Sequence, residues 1–303
     1  MVVDLFFPRD HTQDDVGDVN PQTVGGTPKG MKGKLPDGWI YIEDFASRVS
    51  DFDINEVLNN IRFEERLEMR LFSHGRPAKR TNAFLSFRGK FPHYNYPAFQ
   101  KEVFELYQDI DGTKPALQAL LLKVDEVMKQ TNNHIIVTKY ERKEDCIPFH
   151  SDETSNWVEG AGFAVFTVGG RRQFRITELP APVNGRNPKR VGSVVCQFEP
   201  AVGSLLITTG AANQAHCHEV LKFSATTDGK EFNTRTSIVF RSIAKVLNKT
   251  EADEAAAASR KKKGQVFLET SAKRKALEKR LKALVKQQEE EIQTLKARVE
   301  QLS

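Results

Sequence analysis

The sequence predicts an α+β fold whose core is a double-stranded β-helix, or jelly roll, with N-terminal helices, a lid and a long C-terminal helix. From His134 onward, short apolar stretches alternate with turn signals such as Gly169-Gly170 and Asp228-Gly229. No helical pattern separates these stretches, as it would in a fold built from βαβ units. Short strands at this spacing are typical of two packed antiparallel sheets. The predicted strands are 134–140, 147–150, 161–168, 171–177, 191–198, 203–209, 215–221 and 233–242.

The segments before this core predict one strand and two helices. The strand begins near Leu35, where apolar residues start to alternate with polar ones. The first helix is predicted from Asp44 to Arg70, and a second, amphipathic helix from Ala116 to Gln130. The apolar face of the first helix is formed by Phe45, Val49, Val57, Leu58 and Ile61.

Four regions follow from the pattern along the chain. Residues 1–34 lack sustained periodicity and predict a mobile leader, and residues 35–246 form the folded domain. Residues 247–270 are a charged linker. Residues 271–303 contain no Pro or Gly and carry Leu at heptad spacing, which predicts a coiled coil with a second copy of the chain or with a partner helix. The alternative for this last region is a solvated single helix.

The formal net charge of +5 comes from the C-terminal part of the chain. Residues 247–303 contain 14 Lys or Arg and nine Asp or Glu, whereas residues 36–246 contain 27 and 26. A basic tail suits an acidic partner such as nucleic acid. The basic run Arg260–Lys263 favours the nucleus over the cytoplasm, and the alternative is an ordinary solvated linker.

Signals for a membrane or for a disulfide framework are missing from the sequence. No stretch approaches the roughly 18 apolar residues of a spanning helix, and no signal-peptide pattern opens the chain. The three cysteines form no CxxC pair. We therefore expect an intracellular protein that does not associate with membranes.

The segment from Arg62 to Lys90 combines basic and aromatic side chains. It contains eight Lys or Arg and three Glu, interleaved with four Phe, and Tyr94 and Tyr96 follow. Basic side chains contact phosphates, and aromatic faces stack on bases. This composition favours a lid over Arg62–Tyr96 that contacts nucleic acid. The alternative is a set of ordinary strands with buried Phe and solvated Arg.

Two histidines and one aspartate form the candidate metal site. His150 and Asp152 are two residues apart, so their side chains leave the same face of an extended segment. His218 lies on a later predicted strand that can return beside the first. Two imidazoles and one carboxylate with open positions suit non-haem Fe(II). His216 shares its strand face with His218, and from the residues alone either can be the third ligand.

Arg235 and Arg241 lie six residues apart on the last predicted strand and so share one face of it. A planar guanidinium binds a carboxylate through two parallel hydrogen bonds. Downstream of the His-x-Asp…His set, this pair predicts a site for a dicarboxylate co-substrate. The alternative is two solvated surface arginines.

Several stretches form an ordered pattern between Leu35 and Ile243. They are Leu35-Pro-Asp-Gly-Trp-Ile-Tyr-Ile-Glu-Asp-Phe45, Lys79-Arg-Thr-Asn-Ala-Phe84, Tyr140, Asp145-x-Ile147-x-x-His150-Ser-Asp152-Glu153, Gly203-Ser-Leu-Leu-Ile-Thr208, His218-Glu-Val220 and Arg235-x-Ser237-x-Val239-Phe-Arg241. In this order they resemble the AlkB family of Fe(II)- and 2-oxoglutarate-dependent dioxygenases over about two thirds of the chain.

The resemblance implies a metal centre and a co-substrate site. His150, Asp152 and His218 would bind Fe(II) and form the catalytic centre, and the position of His218 in the family pattern favours it over His216. The co-substrate would be 2-oxoglutarate, with its distal carboxylate on Arg235 and its other end near Arg241.

Three further positions belong to the co-substrate site by the same resemblance. Tyr140 would hydrogen-bond to 2-oxoglutarate. Thr138 and Ser237 stand where family members usually have Asn, whose side chains support the co-substrate or its arginine. These two departures keep the charged contacts and remove two amide groups.

The activity that the resemblance implies is oxidative demethylation of N-alkylated bases in DNA or RNA, driven by O₂ and 2-oxoglutarate. Glu153 would lie near the target base, and Arg80, Phe84 and Arg88 would contact the substrate from the lid. Two alternatives are a hydroxylase of a protein or small molecule on the same scaffold, and a catalytically weak module that binds nucleic acid or protein.

Overall fold

The computed structural model describes the β-rich core of the chain almost completely, together with parts of the N-terminal region. The described residues are 27–50, 53–58, 61, 63, 68–69, 76–77, 80–86, 91–93, 107–109, 115–179, 192–223, 232–248 and single positions beyond them. Within this part of the chain, two large sheets pack face to face, and this arrangement confirms the predicted jelly-roll-like core.

The larger sheet has seven strands in the order β2-β13-β10-β15-β8-β5-β7. Neighbouring strands are antiparallel except for the parallel pair β5 and β7. The strands are β2 (Trp39–Ile42), β5 (Thr81–Ser86), β7 (Tyr107–Asp109), β8 (His134–Tyr140), β10 (Phe163–Gly169), β13 (Leu205–Thr208) and β15 (Arg235–Arg241).

The smaller sheet has five strands in the order β1-β12-β11-β14-β9, all antiparallel. They are β1 (Lys32–Gly33), β9 (Ile147–His150), β11 (Phe174–Glu178), β12 (Val194–Phe198) and β14 (His216–Val220). Two short pairs complete the strands: β3 (Glu68–Met69) with β4 (Arg76–Pro77), and β6 (Phe91–Pro92) with β16 (Val246–Leu247).

Apolar side chains fill two layers on either side of the larger sheet. The layer between the two sheets contains Tyr41, Phe163, Phe174 and Phe198. The opposite layer lies under helix α2 (Pro115–Met128), whose Leu117, Leu120 and Val124 are completely buried. We call the side of the larger sheet that faces the smaller sheet its inner face. Because side chains alternate along a strand, every second residue of β8 and β15 lies on this inner face.

The predicted strands of the core are confirmed, and two of them, 134–140 and 147–150, match to the residue. The predicted helix over Asp44–Arg70 is wrong. A 3₁₀ turn over Ala46–Arg48 ends at Val49, which is extended at φ −99° and ψ 117°. Among the described residues of this range, only α1 (Ile54–Leu58) is α-helical, and β3 lies near its end. The apolar residues Phe45, Val49, Val57 and Ile61 are buried as predicted, since burial does not require a continuous helix.

Strands at both ends of the predicted domain pair with other strands of the structure. Strand β1 lies just before residue 35 and pairs with β12, and β16 reaches Leu247. The predicted linker and coiled-coil helix, residues 247–303, lie almost entirely outside the described residues. In the part of the chain that the structure describes, no helix is long and apolar enough to span a membrane.

The C-terminal end of α2 is fixed by the half-buried carboxylate of Asp125. The backbone N–H and Nδ2 of Asn132 donate to Oδ1 of Asp125 at 3.0 and 2.6 Å. Lys129, between them, adopts the left-handed φ of 52° that ends the helix. Burial raises the pKa of Asp125 to about 6, although the hydrogen bonds from Asn132 oppose the shift.

We expect Asp125→Asn to stabilise the protein at about pH 7 and to have little effect at about pH 4. The folded pKa of about 6 lies above the ordinary value of 3.8, so the folded state binds this proton more tightly than the unfolded state. Stability therefore falls as the pH rises between these values. Because the side chain is partly exposed, we expect a gain of only about 1 kcal/mol. Urea unfolding of both proteins at the two pH values measures it, and a gain independent of pH would contradict the assignment.

Candidate metal centre

His150, Asp152 and His218 converge at one end of the smaller sheet. His150 ends β9, and His218 lies directly opposite it on β14. Asp152 follows His150 by two residues, and the ligand atoms of the three side chains all lie within 4.8 Å of one another. The antiparallel register of β9 and β14 therefore brings together two ligands that are far apart in the sequence.

A backbone carbonyl sets the orientation of the His150 imidazole. Its Nδ1 lies 2.9 Å from the carbonyl oxygen of Pro148, and its Nε2 lies 3.4 Å from Oδ1 of Asp152. When Nδ1 carries the proton and donates to this carbonyl, the lone pair of Nε2 is directed at the cluster. Metal-binding histidines are commonly fixed by such a hydrogen bond on the second ring nitrogen.

His218 is enclosed by aromatic rings. Phe174 stacks on its imidazole at 5.7 Å between ring centroids, and Phe163 and Trp39 lie at 5.3 and 5.9 Å. Burial, reinforced by the charge of His150, lowers the pKa of His218 to about 3. The imidazole is therefore neutral near pH 7, which is the form that binds a metal.

Asp152 is buried and ionised. Burial alone would raise its pKa, but the guanidinium of Arg241 and the neighbouring His150 hold the pKa well below its ordinary value. Arg241 donates from Nη2 to Oδ2 of Asp152 at 2.5 Å. The other carboxylate oxygen faces His150. One oxygen is thus held by Arg241, while the second is directed toward the histidines.

The amide of Asn213 holds the backbone of Asp152. Asn213 lies in α3 (Gly210–Ala215) and is completely buried. Its Oδ1 accepts from the backbone N–H of Asp152, and its Nδ2 donates to the carbonyl of Asp152, both at 3.0 Å. The Ser151 hydroxyl donates to the carbonyl of Asn213 at 2.6 Å. Asn213 thereby fixes the segment that carries two of the three ligands.

Asn213→Ala is expected to weaken metal binding about 10- to 100-fold, as the loss of a supporting contact commonly does. The backbone of Asp152 loses its two hydrogen bonds with the Asn213 amide and gains freedom. Binding of Mn(II), a redox-inert stand-in for Fe(II), can be measured by isothermal titration. Ser151→Ala is the matched control, because it removes only the hydroxyl contact, and equal affinities of the two variants would contradict the role given to Asn213.

His216 does not join the cluster. It lies at the end of α3, with Nδ1 at 2.9 Å from the carbonyl oxygen of Ala212, and its ring packs 6.5 Å from that of Trp39. Among the described residues, the group that could hold a metal ion consists of His150, Asp152 and His218. The structure therefore places His218, and not His216, with the other two ligands.

A second polar group lies at the other end of the larger sheet, around Arg235. Its side chain is 1% exposed and rests over the ring of Tyr140 at 5.5 Å. Nη2 donates to the Thr167 hydroxyl at 3.3 Å, whereas Nε and Nη1 have no hydrogen-bond partner among the described residues. Burial lowers the pKa of Arg235, but a guanidinium titrates so far above neutrality that it stays charged.

The hydroxyl groups beside Arg235 also lack partners. Tyr140 faces Arg235 across the β8–β15 register, and Thr138 faces Ser237 in the same way. The hydroxyls of Tyr140 and Ser237 are neighbours, yet neither has a well-aligned hydrogen bond to a described residue. Burial raises the pKa of Tyr140, so its hydroxyl keeps its proton. Donors around an unpaired buried cation suit an anionic oxygen ligand.

The four residues predicted to contact the substrate differ in burial and in whether the structure describes them. Glu153 is exposed beside the metal ligands and accepts from the backbone N–H of Ser155. Arg80 is half-buried just before β5, and Phe84 is completely buried within β5. Arg88 and most of the predicted lid lie outside the described residues. The roles of all four in substrate binding stay predictions.

Several residues of the two polar groups are not indicated by the sequence patterns. They are Asn82, His134, Thr167, Arg172 and Asn213, all of which are buried. Burial also lowers the pKa of His134, which lies opposite Arg241 in the β8–β15 register. The stretch Lys79–Phe84 contains Asn82 but assigns it no role, and Asn213 lies in a short helix without a motif.

The donor set fits Fe(II). Two imidazoles and one carboxylate on one side of a metal leave positions open on the other side, which is the arrangement of non-haem Fe(II) oxygenases. The unpaired donors of Arg235 and Tyr140 fit a carboxylate of 2-oxoglutarate. The three metal ligands and Arg241 lie at one end of the space between the sheets, and Arg235 projects from the other end of the same strand, β15.

Comparisons with known proteins find similarity among solved structures alone. No protein-family model matches the sequence, and no curated protein matches it. The solved structure of OsALKBH1 is similar, with 15% sequence identity, a TM-score of 0.44, and coverage of 69% of this chain and 99% of that one. At this identity and TM-score, the function is inferred from the geometry of the site.

Proposed function

We propose that the protein is an Fe(II)- and 2-oxoglutarate-dependent dioxygenase that removes N-alkyl groups from bases in nucleic acid. The observation that carries the proposal is the pairing of two features, one on each of the two large sheets. One is a His-Asp-His cluster whose ligand atoms lie within 4.8 Å of one another, and the other is a buried guanidinium without an anionic partner among the described residues. Either feature alone also occurs in proteins without this chemistry, whereas the two together match a metal and a dicarboxylate.

When bound, Fe(II) and 2-oxoglutarate would supply the oxidative chemistry, in which O₂ gives one oxygen atom to succinate, with release of CO₂, and the other to a C–H bond of the substrate. If this bond belongs to an N-methyl group, the N-hydroxymethyl product releases formaldehyde and leaves an N–H. The side chains of the chain itself bind, orient and shield the reactants.

The metal ligands have distinct roles. Asp152 contributes the negative charge, and Arg241 keeps it ionised and fixes one of its oxygens. His150 is oriented through the carbonyl of Pro148. The aromatic rings around His218 exclude water on that side of the cluster, so that charge interactions there are weakly screened.

At the other end, Arg235 would bind the distal carboxylate of 2-oxoglutarate, and Tyr140 would donate to it. Both side chains are buried, so their hydrogen bonds to an anion would be stronger than at the surface. Thr138 and Ser237 line the same stretch of the inner face.

Nucleic acid is supported as the substrate class by composition. The basic and aromatic residues of Arg62–Tyr96 suit phosphates and bases, and Glu153 is exposed beside the metal ligands. The basic tail supports a nuclear, nucleic-acid-associated protein, and its heptad leucines support self-association or a partner helix. A duplex substrate would have to present the base outside the stack.

The test is incubation of the purified protein with Fe(II), ascorbate, 2-oxoglutarate and N-methylated DNA or RNA oligonucleotides. We expect succinate and formaldehyde, both dependent on the methylated oligonucleotide and both absent with Asp152→Ala. Succinate without oligonucleotide dependence would assign the site to another substrate, such as a protein. Bound iron with neither product would contradict an enzyme and indicate a binding module.

A further inference from the structure

Four polar side chains form a row across the inner face of the larger sheet. Asn82 of β5 faces Thr138 of β8, Thr138 faces Ser237 of β15, and Ser237 faces Thr167 of β10. All four are at most 4% exposed. A buried row of hydrogen-bonding groups in an otherwise apolar layer is costly unless the groups have partners.

Asn82 is oriented by its neighbour. The Thr138 hydroxyl donates to Oδ1 of Asn82 at 3.0 Å, so the amide oxygen is satisfied. Its Nδ2 is buried and has no hydrogen-bond partner among the described residues. An unsatisfied buried N–H is costly, and a ligand acceptor would remove that cost.

The unpaired groups of this region can all donate hydrogen bonds. Arg235 offers Nε and Nη1, and Tyr140 and Ser237 offer hydroxyls. Tyr140 lies two residues beyond Thr138 on the same face of β8. Asn82 thus adds an amide donor to a group of cation and hydroxyl donors. The complementary ligand has several acceptor oxygens and a negative charge, as a carboxylate does.

We propose that Asn82 binds the distal carboxylate of 2-oxoglutarate through Nδ2, with Thr138 holding the amide in that orientation. The inference rests on the proposed function, because it assigns a further residue to the same co-substrate site. It makes Thr138 a positioning residue that acts through Asn82. Strand β5 then belongs to the co-substrate pocket.

Asn82→Asp tests the proposal most sharply. The aspartate is almost isosteric and can still accept from Thr138, but it replaces the donor with an anion. If Asn82 only supports Thr138, the variant should bind 2-oxoglutarate normally. If Nδ2 contacts the carboxylate, we expect the Kd of 2-oxoglutarate on the Mn(II)-loaded protein to rise more than about 100-fold, and about tenfold for Asn82→Ala.

Two controls separate binding from folding. The ligand control is 2-oxobutyrate, which has the 2-oxo acid end but no distal carboxylate, and its Kd should be the same in the wild type and Asn82→Ala. Ser86→Ala is the matched variant, since Ser86 is also buried, unpartnered among the described residues and on the same face of β5. It should bind both ligands as the wild type does.

The outcomes distinguish the two proposals. Failure of the Mn(II)-loaded wild type to bind 2-oxoglutarate would overturn the proposed function and this inference with it. A second result would overturn the role of Asn82 alone. In it, the wild type binds 2-oxoglutarate normally, Arg235→Met does not bind it, and Asn82→Asp binds it as the wild type does. If Asn82→Ala weakened the binding of 2-oxoglutarate and 2-oxobutyrate equally, Asn82 would have a structural role. That result would also overturn the proposal. A loss confined to 2-oxoglutarate supports it.

Discussion

Replacing Arg235 with Met is expected to stabilise the ligand-free protein by about 2 kcal/mol while abolishing the binding of 2-oxoglutarate. The guanidinium is buried, and two of its nitrogens have no partner among the described residues. Methionine fills a similar volume without a charge to desolvate. Urea unfolding without ligand and isothermal titration with 2-oxoglutarate measure the two effects.

Arg172→Met is the matched control for this prediction. Arg172 is equally buried, but its guanidinium donates to the backbone carbonyls of Arg171, Tyr140 and Arg142. Its loss leaves these carbonyls without those donors, so we expect a destabilisation of about 2 kcal/mol. If Arg235→Met destabilised the ligand-free protein as much as Arg172→Met, Arg235 would have a structural role and the assignment of its anion site would be wrong.

The second large effect is expected at Asp152. Asp152→Ala should remove metal binding and destabilise the protein by about 3–5 kcal/mol, because Arg241 loses the carboxylate with which it pairs in the interior. Adding Arg241→Met should restore most of that stability and none of the metal affinity. The two losses have different causes, so one can be reversed without the other.

A double-mutant cycle tests this prediction. It needs urea unfolding and Mn(II) titration of the wild type, the two single variants and the double variant. We expect a strong coupling energy between Asp152 and Arg241 in stability. A double variant that remained as unstable as Asp152→Ala would contradict the proposed cause of the instability. A single Asp152→Ala variant that bound Mn(II) with wild-type affinity would remove Asp152 from the metal site.

The strands of the core were predictable because their signal is local. In β8, β-branched and aromatic residues that follow the two Asn residues before His134 define the strand without reference to its neighbours. The pair His150 and Asp152 was equally predictable, because two residues that are two positions apart on an extended segment share a face. The choice between His216 and His218 required the register of β14 against β9.

The helix predicted over Asp44–Arg70 shows why the N-terminal region was less predictable. Phe45, Val49, Val57 and Ile61 have helical spacing and are buried, but an extended Val49 interrupts the backbone. Apolar spacing reports which residues are buried, and it does not report whether the backbone between them is continuous. Tertiary packing determines the second property.

The supporting residues were beyond prediction for a different reason. Asn213 acts through hydrogen bonds to a backbone 61 residues away in the chain, and Asn82 meets Thr138 across 56 residues. Asn is common at surfaces and turns, so neither residue carries a signal by itself. The sequence did indicate that Thr138 and Ser237 lack an amide, and the structure places the amide of Asn82 next to Thr138.

Anaerobic titration of the Fe(II)-loaded protein with 2-oxoglutarate, followed by visible absorption, tests the central claim most directly. Chelation of Fe(II) by a 2-oxo acid produces a charge-transfer band that neither component has alone. We predict a band that saturates at one 2-oxoglutarate per chain, is absent with glutarate, and is lost in His218→Ala but retained in His216→Ala. A wild-type protein that binds iron and gives no band at saturating 2-oxoglutarate would contradict the account.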